Sequence, residues 1–106
     1  MSFTGHENNS ISLEEGGILT KAYRDKIKTG DVIGVFYSKD SIQALLDQTD
    51  SVGIRAYFGT KADGQNCLVI VGVDKDENDQ IEKDFKCVDA GSMCPPNCST
   101  TNILNS

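Results

Sequence analysis

Apolar positions along the chain change period twice, and each change predicts a new element. Ile18, Leu19, Ala22, Tyr23 and Ile27 recur at three-to-four spacing, which predicts one apolar stripe of an amphipathic helix. Ser12-Leu13-Glu14-Glu15 ahead of it has the spacing of a capping box, the Ser12 hydroxyl facing the Glu15 amide and the Glu15 carboxylate facing the Ser12 amide. Lys21, Arg24, Lys26 and Lys28 suit the negative end of the helix dipole, and Gly30 can close the helix. Gly16-Gly17 is a local defect costing about 1 kcal/mol per glycine relative to alanine. It predicts tight packing against a neighbouring element, a late helix start, or a backbone that faces a ligand.

Asp31 to Tyr37 is a short strand, apolar on both faces and therefore expected inside a sheet. Ser38 or Asp40 then caps a second helix whose buried side is Ile42, Leu45 and Leu46. Val52 to Phe58 alternates, with Val52, Ile54, Ala56 and Phe58 on one face and Arg55 and Tyr57 on the other, the period of a half-buried strand. Lys61-Ala62-Asp63-Gly64 is turn chemistry, and Cys67 to Val73 returns as a central strand, so the two segments form an antiparallel hairpin. Ile81 to Val88 reads as a weaker third strand, and residues 89–106 as an irregular tail rich in cysteine and proline. The expected fold is α+β, with two helices packed on a small, mainly antiparallel sheet. Residues 1–11 read as a disordered arm and residues 12–106 as a single domain.

Composition narrows the function more than it identifies it. The chain has 106 residues and a net charge of −6, and Asp74 to Asp89 alone holds seven acids against three lysines. An acidic chain without a Lys/Arg cluster argues against binding nucleic acid through its phosphates. It argues equally against docking on anionic membranes. No apolar run is long enough to span a bilayer, and the polar start carries no signal-peptide core, so the expected location is cytoplasmic.

The thiols carry the strongest intrinsic chemistry. Cys67 opens the central strand, where a buried thiol acts as a small hydrophobe. Cys87, Cys94 and Cys98 have six and three residues between them, unlike the tighter pairs of structural zinc sites, and His6 is the lone histidine available as a fourth ligand. A disulfide is open to Cys94 with Cys98 across the Pro95-Pro96-Asn97 turn, or to Cys87 with either. Acids predominate around these sulfurs and Lys86 is the nearest cation, so no thiolate nucleophile is evident.

Asp74, Asp76 and Asn78 match the first half of a calcium loop. The match then fails, with Asp79 at the sixth position and Phe85 at the twelfth. No cofactor is predicted, zinc and calcium both being disfavoured. With its histidine in the polar arm the chain shows no nucleophile–base pair, so it reads as a non-enzyme. The leading expectation is a small protein-interaction module meeting an unidentified protein partner through the sheet face of Arg55 and Tyr57 or through the tail. A thiol-based metal-binding or redox protein using Cys87, Cys94 and Cys98 is the alternative.

Val52 to Gly59, Leu68 to Asp74, Asn78-Asp79, the Cys94-Pro95-Pro96-Asn97-Cys98 segment, Ile11 to Glu15 and Asn102 to Asn105 together resemble a group of small uncharacterised bacterial proteins. The resemblance covers most of the chain from Ile11 onward. It implies no catalytic or binding residue, because the group has no established activity. In that group the acidic turn usually holds glycine where Glu77 stands, so the departure disfavours a tight turn or cation loop here.

Overall fold

In the computed structural model, which describes residues 2–82 and 84–106, helices α1 (Leu13–Arg24) and α2 (Lys39–Leu46) are interleaved with five strands. These are β1 (Gly34–Phe36), β2 (Ser51–Thr60), β3 (Asn66–Asp74), β4 (Cys87–Val88) and β5 (Ser92–Cys94). Both sheets are antiparallel, one pairing β1 with β5 and the other ordered β2-β3-β4, so the chain is α+β. The residues gather into two units, Met1–Asn8 with Tyr37–Gly91 and Asn9–Phe36 with Ser92–Ser106.

The unit of Asn9–Phe36 and Ser92–Ser106 is built around α1. The capping box is present, the Ser12 hydroxyl accepting from the Glu15 amide at 3.0 Å. The helix ends before Ile27 because the Lys26 and Ile27 amides bond to the Tyr23 and Arg24 carbonyls, tightening the last turn. Gly17 is the buried residue of α1, and its position explains the second of the two glycines. A β-carbon there would lie 2.5 Å from Ile103 Cγ1, while one on Gly16 would lie 3.4 Å from Leu104 Cδ2. The helix therefore turns its glycine side to the tail. Ile18 and Leu19, expected in the buried stripe, are 70% and 62% exposed.

An asparagine knot shapes the tail for this contact. The Asn102 side-chain oxygen accepts from the Leu104 amide at 2.8 Å, and that of Asn105 accepts from the Asn102 amide at 2.7 Å. Arg24 fastens the end by donating to the carbonyls of Leu104 and Ser106. The tail expected to be irregular also supplies β5, which pairs with β1, and the Ile33 amide extends that pairing to the Cys94 carbonyl at 2.7 Å. Two strands of three residues each are too short to show a period of two.

The other unit holds the hairpin. Its register runs from Gly53 opposite Val73 to Thr60 opposite Asn66, with an irregularity at Val52. β3 is central, and Cys67, Ile70, Val71 and Val73 are buried. The expected third strand is shorter than Ile81 to Val88: β4 pairs Cys87 and Val88 with Val71 and Ile70, and Val73 bridges to Asp79 upstream. Polar bonds explain the shortening. Gln80 is 5% exposed, donates from Nε2 to the Thr49 carbonyl at 2.8 Å and accepts from Gln48 at 3.0 Å.

Helix α2 starts at Ser38, whose hydroxyl accepts from the Ser41 amide, and it buries Leu45 completely. It ends over Gly72, where any side chain would overlap the Gln80 carboxamide and come within 3.3 Å of the Leu45 carbonyl. This eight-residue helix is about 12 Å long. The ten residues of β2 span about 33 Å. One short helix cannot cover the sheet face it meets, and the far end of β2 stays bare.

Candidate functional site

The N-terminal segment crosses β2 near the start of that strand. The Phe3 amide donates to the Lys75 carbonyl at 2.8 Å, and a β-carbon on Gly5 would lie 3.0 Å from the Val52 carbonyl oxygen. Beyond this crossing lie Arg55 and Tyr57. Both donate to the Asp79 carboxylate, Arg55 through Nη1 and Tyr57 through its hydroxyl. Arg55 Nη2 also donates to the Glu77 carbonyl at 3.3 Å, and the guanidinium carbon lies 6.0 Å from the centre of the Phe3 ring. The hydrogen bond to Asp79, then that to Tyr57, holds the Arg55 guanidinium above its ordinary range. Arg55 is thus a paired cation that fixes the acidic turn to the strand.

The turn itself is an Asx turn. Asp74 Oδ1 accepts from the Asp76 and Asn78 amides at 2.9 and 3.1 Å, so the first expected cation ligand closes the loop. Glu77 takes φ 70°, the left-handed region in which glycine is the easy occupant. Among the described residues no group of three or more His, Cys, Asp or Glu is arranged to hold a metal ion.

Cys94 and Cys98 are joined as a disulfide, their α-carbons 4.8 Å apart. Cys67 is buried and Cys87 exposed, and neither is in a disulfide. A cleft of about 510 Å³ opens among Asp47, Gln48, Thr49, Glu82, Asp84 and Phe85. Tyr37 donates to the Leu68 carbonyl at 2.7 Å, and burial, then the Asp89 charge, raises its phenol above the usual range.

The feature that sequence reasoning missed is the outer edge of β2, against which no strand pairs among the described residues. The Lys61 amide donates to the Gln65 carbonyl at 2.8 Å, which makes 61 and 65 a hydrogen-bonded pair. Alternation then directs the amides and carbonyls of Ile54, Ala56 and Phe58 away from β3. On the far side of β3 the same alternation is visible, the Gly72 carbonyl accepting from the Gln80 amide. Phe58 is 93% exposed and Ile54 42%, so one stretch of edge offers both backbone bonding groups and apolar side chains. The signal was present: an alternating strand beside a wholly apolar one marks the alternating strand as peripheral.

Compared with known proteins, the chain matches no family model, no curated protein and no solved structure. No described helix is long and apolar enough to cross a membrane. Function therefore has to be read from the edge of β2, the Arg55–Tyr57–Asp79 cluster and the cysteines themselves.

Proposed function

We infer that the chain is a non-enzymatic protein-interaction module whose contact surface is the edge of β2 from Ile54 to Thr60. The exposure of Phe58 carries this reading. A bare phenylalanine beside unpaired backbone groups is costly to keep in water and is the arrangement by which sheet proteins accept an added strand. Tyr57, 46% exposed, borders the same edge from the other face, where its bond to Asp79 fixes its orientation. Arg55, tied to Asp79, enters as a support of the strand, and Tyr57 flanks the contact.

Affinity capture with the wild-type chain and Phe58→Lys in parallel is the test. Phe58 makes so little contact with its own chain that the substitution leaves the fold intact. A protein retained by the wild type, lost with Phe58→Lys, and shifting the amide resonances of residues 54–60 when added in pure form supports the reading. Capture that is indifferent to Phe58, with no effect on those resonances, refutes it.

A further inference from the structure

We propose that the occupant of the β2 edge is a second copy of the chain, added antiparallel so that Tyr57 faces Tyr57 of the second copy and Phe58 faces its Ala56. This deepens the interaction-module reading and rests on it. An antiparallel strand added at this edge must use the outward-facing groups of Ile54, Ala56, Phe58 and Thr60, so the allowed registers differ by whole steps of two residues. Gly5 lies against the Val52 carbonyl, which removes registers that need Val52. The register using residues 54–60 of both copies sets Ile54 opposite Thr60, Ala56 opposite Phe58 and Arg55 opposite Gly59.

Three observations favour this occupant. The pairing is self-complementary, as a two-fold contact must be: each Phe58 covers the space over the small Ala56 of the other copy and reaches Ile54 on the diagonal. Charge permits it as well. The chain carries −6, yet Ser51–Thr60 contains no acid and one cation, Arg55, which Asp79 neutralises and which meets a glycine rather than its own copy. Elsewhere on the three-stranded unit acids abound, from Asp74 to Asp89, and two copies meeting there would set carboxylates against one another. Finally, the bulge at Val52 and the N-terminal segment beside it guard only the start of β2, and from Ile54 to Thr60 the strand lacks the devices by which edges ordinarily repel copies of themselves. It has ten residues, no proline, no lysine and no unpaired inward charge. Seven residues per copy bury less than the ~1,000 Å² of a durable interface, so the dimer is a weak one, half-formed at roughly 0.1–1 mM.

Sedimentation equilibrium and amide spectra over a concentration series test this on the full chain. The wild type should pass from monomer to dimer with shifts confined to residues 54–60. Phe58→Lys should remove the dimer through its side chain and Ala56→Pro through the loss of one outward amide, each with an unchanged far-ultraviolet spectrum. In a Cys87→Ser background, Tyr57→Cys should cross-link to itself on mild oxidation and Phe58→Cys should do so poorly, because position 57 alone faces its own copy. A chain that stays monomeric through the millimolar range overturns the proposal, as does a dimer that survives Phe58→Lys or cross-links equally at both positions. A monomer that binds a different protein through Phe58 overturns self-pairing while leaving the interaction module standing.

Discussion

Replacing the two glycines of α1 one at a time gives a test with its own control. Gly16 and Gly17 are neighbours in one helix, so alanine at either removes the same glycine penalty, a gain of about 1 kcal/mol. Their surroundings differ. The new methyl at 16 meets Leu104 Cδ2 at 3.4 Å, an ordinary contact, so Gly16→Ala should stabilise by nearly the whole gain. At 17 it would lie 2.5 Å from Ile103 Cγ1, 2.9 Å from Cδ1 and 3.3 Å from the Ile103 carbonyl oxygen. Forcing a methyl into a filled site costs about 1–3 kcal/mol, leaving Gly17→Ala between neutral and about 2 kcal/mol destabilised. Urea titration followed by far-ultraviolet circular dichroism should show a raised midpoint for Gly16→Ala and an unchanged or lowered one for Gly17→Ala, at equal slope. Ile103→Ala supplies the second half of a double-mutant cycle. With Cγ1 and Cδ1 gone, Gly17→Ala should recover its helical gain, a coupling of about 1–3 kcal/mol. Equal stabilisation by both alanines, or a cycle that closes with no coupling, would show that Ile103 does not sit on Gly17.

Three further outcomes follow from the turn, the thiols and the N-terminal segment. Glu77→Gly should raise stability by about 0.5–1 kcal/mol in the same titration, since a side chain in the left-handed region costs about 1–2 kcal/mol and glycine returns part of that as chain entropy; a loss would mean that the Glu77 side chain holds the turn. Alkylation of the native chain should label Cys87 quickly and Cys67, 8% exposed, slowly, with Cys94 and Cys98 reacting only after reductant; labelling of all four without reductant would remove the disulfide. Performed on intact cells, the same labelling tests the cytoplasmic expectation, because a reducing compartment would leave Cys94 and Cys98 open to the reagent. The Glu7 carboxyl is held below the usual carboxylate range by the Thr4 amide first and by the Gly5 amide as well. A carboxyl lowered in the folded state contributes above its unfolded pKa and loses that contribution as pH falls through its folded one. Carbon-detected titration of Glu7 should therefore end below the normal glutamate range, with the Thr4 and Gly5 amides losing protection over that same interval; an ordinary midpoint would exclude both bonds.

Periodicity carried the elements and failed on their surroundings. The capping box at Ser12, the β2–β3 hairpin and the central place of β3 were legible because each depends on neighbours in sequence or on a run long enough to count. The burial of the α1 stripe was not, because it depends on what lies opposite. A helix with Ile18 and Leu19 on one side should bury that side, yet Gly17 faces the tail and Ile103 fills the space it leaves. Nothing in the local pattern of residues 99–106 announces that asparagine side chains fold them into a plug. The β1–β5 pair was hidden for a related reason, since strands of three residues pair across more than fifty positions of chain and leave no period behind.

The candidate site shows the same division with a different outcome. Arg55 and Tyr57 stand out as polar groups on an otherwise apolar strand, and both donate to the chain's own Asp79. Anchoring those two groups has a consequence for the opposite face. It ties the acidic turn to β2 and pairs the Asp79 carboxylate with Arg55, while α2, too short to follow the strand to its end, leaves Phe58 uncovered. An edge that is long, unprotected by charge and apolar on its exposed side is the geometry on which the proposed self-pairing rests.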